Sequence, residues 1–133
     1  MQRYLLTTFL QAIMRFMPLI FWLLIVIVSV LMLIELKPTT DGIPYLDKFE
    51  HAVVFIARSI TGSLAYAQHK QRVYVGLIAL GALYEVLQAL CTITRQASIY
   101  DWLADIVGIL IAVKLLNLVK KHFSYANPYA NLK

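Results

Sequence analysis

The chain has 133 residues, 61% hydrophobic and 14% charged, with a formal net charge of +5 and a mean hydropathy of +0.74. Soluble domains run at roughly 45–50% apolar, so a water-soluble globular fold is excluded and a small membrane protein without a separate soluble domain is expected. The lone Cys91 excludes an internal disulfide and the clustered-thiol zinc sites, and the basic residues gather at segment ends, where they orient a membrane chain rather than bind nucleic acid.

Residues 1–17 place Arg3 and Arg15 among Leu5, Leu6, Phe9, Ile13 and Phe16. This spacing predicts an N-terminal amphipathic helix that lies on the membrane surface or extends the first span. Residues 18–36, "PLIFWLLIVIVSVLMLIEL", open with proline at a permitted first-turn position and form the first span. "LIELKPTTDG" offers no small-x-small cleavage site, so this helix is expected to be retained. Pro38, Gly42 and Pro44 then make a loop. The second span, residues 51–67, is short and carries Arg58, so neighbouring helices must shelter it. After the basic turn "QHKQR" come a third span at residues 73–91 and a fourth at 100–119, closed by Lys120 and Lys121 and a polar tail at 120–133.

The expected fold class is therefore all-α: a polytopic membrane protein whose four-transmembrane-helix bundle occupies residues 18–119. Arg3, Arg15, Lys70, Arg72, Lys120, Lys121 and Lys133 fall on one side, against Lys37, Lys48 and Arg95 on the other. The positive-inside rule then makes both termini cytoplasmic.

This topology gathers Asp47, Lys48, Glu50, His51, Arg95 and Asp101 at the non-cytoplasmic surface, with Arg58, Glu85, Gln88 and Asp105 in the outer half of the bilayer. Arg58 lies seven residues beyond His51 and Glu85 seven before Thr92. At about 1.5 Å per residue both sit roughly 10 Å below the same surface, which predicts that they pair, because an isolated charge there costs several kcal/mol. His51 and Arg58 share one helical face, Gly81, Glu85 and Gln88 another, and Asp101, Asp105 and Gly108 a third. Ala104, Gly108 and Ala112 form a small-residue stripe suited to close helix packing.

The stretches "LDKFEH" followed by Phe55, then "YEVLQ", then "RQASIYDWLADIVG" resemble the VanZ-like family of small bacterial membrane proteins. The match covers roughly residues 46–112 and falls on Asp47, Lys48, His51, Glu85, Gln88, Arg95, Ser98, Asp101 and Gly108. Asp105 departs from it, since the family pattern carries Asn there. The resemblance implies a multi-pass protein of the bacterial cytoplasmic (inner) membrane, a role in the cell envelope, and, from the family's namesake, lowered susceptibility to the glycopeptide teicoplanin.

Four uses of the polar residues are open: a structural network that fixes helix register, a binding pocket for an envelope lipid, an enzyme site, and, least favoured, a proton-coupled transporter whose intramembrane carboxylates form a relay. For binding, the candidates are Lys48, His51, Arg58, Glu85, Gln88, Arg95, Ser98, Asp101 and Asp105. Lys48, Arg58 and Arg95 would attract phosphate, and apolar helix walls would take an acyl or isoprenoid chain. For catalysis, the candidates are His51 as acid or base, with Glu85 or Asp101 as its partner and Arg95 stabilising negative charge, although enzymatic activity is the less favoured expectation. Ser98 lacks a flanking glycine elbow and reads as a cap to the fourth span. No cofactor and no metal is expected, because His51, Glu85, Asp101 and Asp105 follow no recognised metal motif. The expected partners are the lipid bilayer, an envelope lipid or lipid-linked glycan precursor, and a second copy of the chain in a homo-oligomer.

Overall fold

A computed structural model of the chain describes residues 2–34, 45–91 and 97–126. Four helices follow one another: α1, Gln2–Leu33; α2, Leu46–Ala65; α3, Lys70–Cys91; and α4, Ile99–Ala126, with a single 3-10 turn, Ala67–His69, between α2 and α3. No strand occurs among the described residues. The protein is all-helical, and three stretches, Gln11–Leu33, Ala67–Cys91 and Ile99–His122, are long and apolar enough to cross a membrane.

The amphipathic segment does not end at residue 17. α1 runs without interruption through Pro18, so the N-terminal residues extend the first span rather than form an element of their own. Proline lacks an N–H and removes one helical hydrogen bond, yet the helix continues on both sides of Pro18. Large apolar residues cover the outer faces: Leu19, Trp22, Leu23, Val26, Ile27, Val30 and Leu31 on α1, and Val107, Leu110, Leu115 and Leu118 on α4, are all exposed. Such surface is out of place in water and suits hydrocarbon. The protein is a multi-pass membrane protein in contact with the lipid bilayer.

The exception is α2. Its 20 residues reach about 30 Å at 1.5 Å per residue, the thickness of the hydrocarbon core. Yet it is not among the stretches apolar enough to span unaided. Its polar side chains are turned inward instead: His51, Arg58, Ser59 and Ser63 are buried beside Phe55 and Gly62 on one stripe. α2 packs against α1, α3 and α4, and its contact with α4 is the closest. A Cβ on Gly108 would collide with the backbone carbonyl of Ala52, so the small-residue stripe on α4 admits the α2 backbone itself. Phe21, Phe55, Leu77, Tyr84 and Ile109 form the apolar core.

Candidate functional site

The end of the molecule where the C-termini of α1 and α3 meet the N-termini of α2 and α4 holds most of these polar residues. Ser98 precedes α4 and caps it: the Asp101 N–H donates to Ser98 Oγ at 3.3 Å, as expected of a residue in that position. The Ser98 N–H in turn donates to Glu85 Oε2 at 2.6 Å, tying α3 to the start of α4. One turn into α4, Asp105 Oδ1 meets His51 Nδ1 of α2 at 2.9 Å. His51 is 5% exposed and Asp105 fully buried.

Lys48 reaches Asp101 Oδ1 at 3.1 Å and Asp47 Oδ2 at 3.0 Å. These contacts lie at the mouth of the bundle. The hydrogen bond from Lys48 holds the Asp47 carboxyl below its ordinary value, and the bonds to Asp47 and then Asp101 raise Lys48. Gln88 Nε2 donates to the Met32 carbonyl at 2.8 Å, fastening α3 to the end of α1.

Arg58 does not pair with Glu85. Its Nη2 donates to the Tyr84 hydroxyl at 3.1 Å and to the Ile25 carbonyl at 3.3 Å. Its guanidinium carbon lies 5.2 Å from the ring centroids of both Phe55 and Tyr84. Among the described residues no ion pair joins it to a carboxylate. Equal depth did not bring the two groups together because Tyr84, adjacent to Glu85, occupies the α3 position facing Arg58. Glu85 turns toward Ser98 instead. Tyr84 also shares a hydrogen bond with Ser29 Oγ at 2.6 Å. Arg58 is fully buried and is not among the residues that line the groove described below.

A groove with a cavity volume of about 520 Å³ opens beside this cluster. Val28, Leu31, Met32, Phe49, Val53 and Val54 give it apolar walls, and Asp47, Glu50, His51, Gln88 and Asp101 make one end polar. All four helices contribute. Of the expected binding residues, His51, Gln88 and Asp101 line the groove. Lys48 meets the lining residue Asp101, Glu85 and Ser98 bond to each other outside the lining, Asp105 pairs with His51, and Arg95 lies outside the described residues.

Two parts of this arrangement were missed in the sequence. Tyr84 belongs to the helical series Leu77, Gly81, Tyr84, Gln88, all buried, and that periodicity alone marks it as inward-facing. The apolar groove wall carried no separate signal, since Val28, Leu31 and Met32 sit in a run that is apolar all round.

The site combines a buried imidazole–carboxylate pair with two further carboxylates, Glu85 and Asp101. Donor atoms of His51, Glu85 and Asp101 lie within 4.8 Å of one another. Comparison of the chain with family models, curated proteins and solved structures finds no match.

Proposed function

We propose that the protein binds the polar head of an envelope lipid, or of a lipid-linked glycan precursor, at this cluster while the groove takes part of its chain. The observation that carries the proposal is the groove itself. It is apolar along its walls and polar at one end, and its apolar side belongs to helices whose outer faces suit lipid, as a site for an amphipathic lipid requires.

In the proposed topology all four helices span the bacterial cytoplasmic membrane, α2 being shielded by the other three. Arg15, Lys70, Arg72, Lys120 and Lys121 at the opposite end of the bundle favour a cytoplasmic position for that end and for both termini, which turns the groove outward. The resemblance to the VanZ-like family, resting on the motifs quoted above, adds the proposal that the protein lowers teicoplanin susceptibility. A second reading, a membrane-embedded enzyme acting on a lipid-linked phosphate or acyl group, is favoured by the 2.9 Å His51–Asp105 contact. An imidazole oriented by a carboxylate is a common form of general base.

The test is native mass spectrometry of the full chain purified in mild detergent with a mixture of phosphatidylglycerol, phosphatidylethanolamine and undecaprenyl phosphate. Wild type is expected to retain a phosphate-bearing lipid. Val53→Trp, which fills the groove from an exposed position, is expected to retain at least tenfold less. Equal retention by both proteins refutes the groove as the site.

A further inference from the structure

Among the described residues, carboxylates outnumber cations at the polar end of the groove: Asp47, Glu50, Asp101, Glu85 and Asp105 gather there with the half-buried Lys48. These carboxylates give the polar end of the groove a donor set suited to a cation.

Several details of the cluster suit a metal ion. His51 presents Nδ1 to Asp105 Oδ1 at 2.9 Å, so Nε2 is the nitrogen left for a ligand. Metal-bound histidines characteristically use their second ring nitrogen in this way, with a carboxylate fixing tautomer and orientation. Glu85 is only 6% exposed. Its Oε2 is held by the Ser98 N–H, while Oε1 is buried with no hydrogen-bond partner among the described residues. An unpartnered, buried carboxylate oxygen is costly, and a cation would satisfy it. Asp101 supplies a third donor within the same 4.8 Å group.

We infer that His51, Glu85 and Asp101 hold a divalent cation of the zinc or manganese class. One imidazole and two carboxylates suit these ions, and three protein ligands leave a position open for an exogenous oxygen. His51 and Asp101 both line the groove, so the open position faces the place where a lipid phosphate would sit. This last step rests on the lipid-binding reading; the cation site itself does not. Asp105 is a positioning residue that acts through His51. Lys48, 3.1 Å from Asp101 Oδ1, competes with the cation for that carboxylate.

The experiment is titration calorimetry of the full-length protein in detergent, stripped with chelator, against zinc chloride and manganese chloride, with magnesium chloride for comparison. The expected result is one equivalent of zinc or manganese per chain and at least tenfold weaker binding by Glu85→Gln, a near-isosteric change. Asp105→Asn should weaken binding by about 10–100-fold through the lost histidine partner. Lys48→Gln should tighten it severalfold by removing the competing charge, an effect that a structural role for the cluster does not produce. His69→Gln/His122→Gln, at the opposite end of the bundle, should bind as wild type does. Wild-type affinity in Glu85→Gln, or loss of the equivalent in the His69/His122 variant, overturns the cation site. Phosphatidylglycerol retention measured with and without chelator separates the two ideas. Retention unchanged by chelator, with no metal bound, overturns the cation site and leaves lipid binding standing. Metal bound without lipid retention overturns lipid binding and leaves the cation site standing.

Discussion

Removing one oxygen atom from Tyr84 tests how the buried charge on α2 is neutralised. In Tyr84→Phe the ring stays, so the two 5.2 Å cation–π contacts of Arg58 persist, but the 3.1 Å hydrogen bond from Nη2 and the 2.6 Å bond with Ser29 are lost. Hydrogen bonds to charged groups contribute about 1.5–3 kcal/mol in water-soluble proteins, whereas side-chain bonds inside membranes reach only about 1.7 kcal/mol. The lower bound of the first range and the upper bound of the second agree on a loss of about 1.5 kcal/mol. Arg58 keeps little else, since Nε and Nη1 have no hydrogen-bond partner among the described residues and the Ile25 carbonyl is at 3.3 Å. A double-mutant cycle between Arg58→Met and Tyr84→Phe should therefore give a coupling of about 1–1.5 kcal/mol, whereas the cycle between Arg58→Met and Glu85→Gln should stay within about 0.5 kcal/mol of zero. Equilibrium unfolding in mixed micelles, followed by the fluorescence of Trp22 and Trp102, measures both. A coupling to position 85 larger than the coupling to position 84 would refute the assignment of Arg58 to Tyr84.

Close packing of α2 on α4 predicts that Gly108→Ala costs about 1–3 kcal/mol by overpacking, because the new Cβ meets the Ala52 backbone. Gly76→Ala, with nothing within 4 Å, should be neutral or slightly stabilising in the same unfolding assay. At Gly81 a Cβ would stand 2.7 Å from Asp105 Oδ2, so Gly81→Ala should disturb the His51–Asp105 pair; an unchanged His51 imidazole signal by NMR would contradict this. The Asp47–Lys48 pair should contribute under about 1 kcal/mol, because Asp47 is 59% exposed. With Asp47 lowered from 3.8 and Lys48 raised from 10.5, that contribution is fully present between the two ordinary values. It fades as pH falls through the lowered aspartate value or rises through the raised lysine value. The stability difference between wild type and Asp47→Asn should thus be present at neutral pH and vanish under strong acid.

Most of the fold was legible because hydrocarbon tolerates few residue types. The third and fourth spans, expected at 73–91 and 100–119, fall within α3 and α4, but α4 runs on past Lys120 to Ala126, into the stretch expected to be a polar tail. The start of α1 was not legible: Pro18 is a plausible first-turn residue, and nothing local states that the helix already runs before it. Within the candidate site, helical spacing grouped His51 with Arg58, Gly81 with Glu85 and Gln88, and Asp101 with Asp105 and Gly108; all are buried except Asp101, which is half-buried. Partner choice across helices was not legible. Depth places Arg58 and Glu85 at one level, but rotation of α3 about its axis decides that Tyr84, and not Glu85, meets the guanidinium. Such rotation is set by packing against neighbours.

Arg58 also constrains how the chain is assembled. On the four-span reading, α2 cannot enter the bilayer as an independent unit, because an arginine at the centre of a lone helix disfavours insertion by about 2.5–3.5 kcal/mol. Its neutralising partners are split between the Ile25 carbonyl upstream and the Tyr84 hydroxyl downstream. Stable insertion of α2 must therefore wait until α3 has been synthesised. On that reading α1 is expected to insert first, then α2 and α3 together as a hairpin, with α4 closing over Ala52 last.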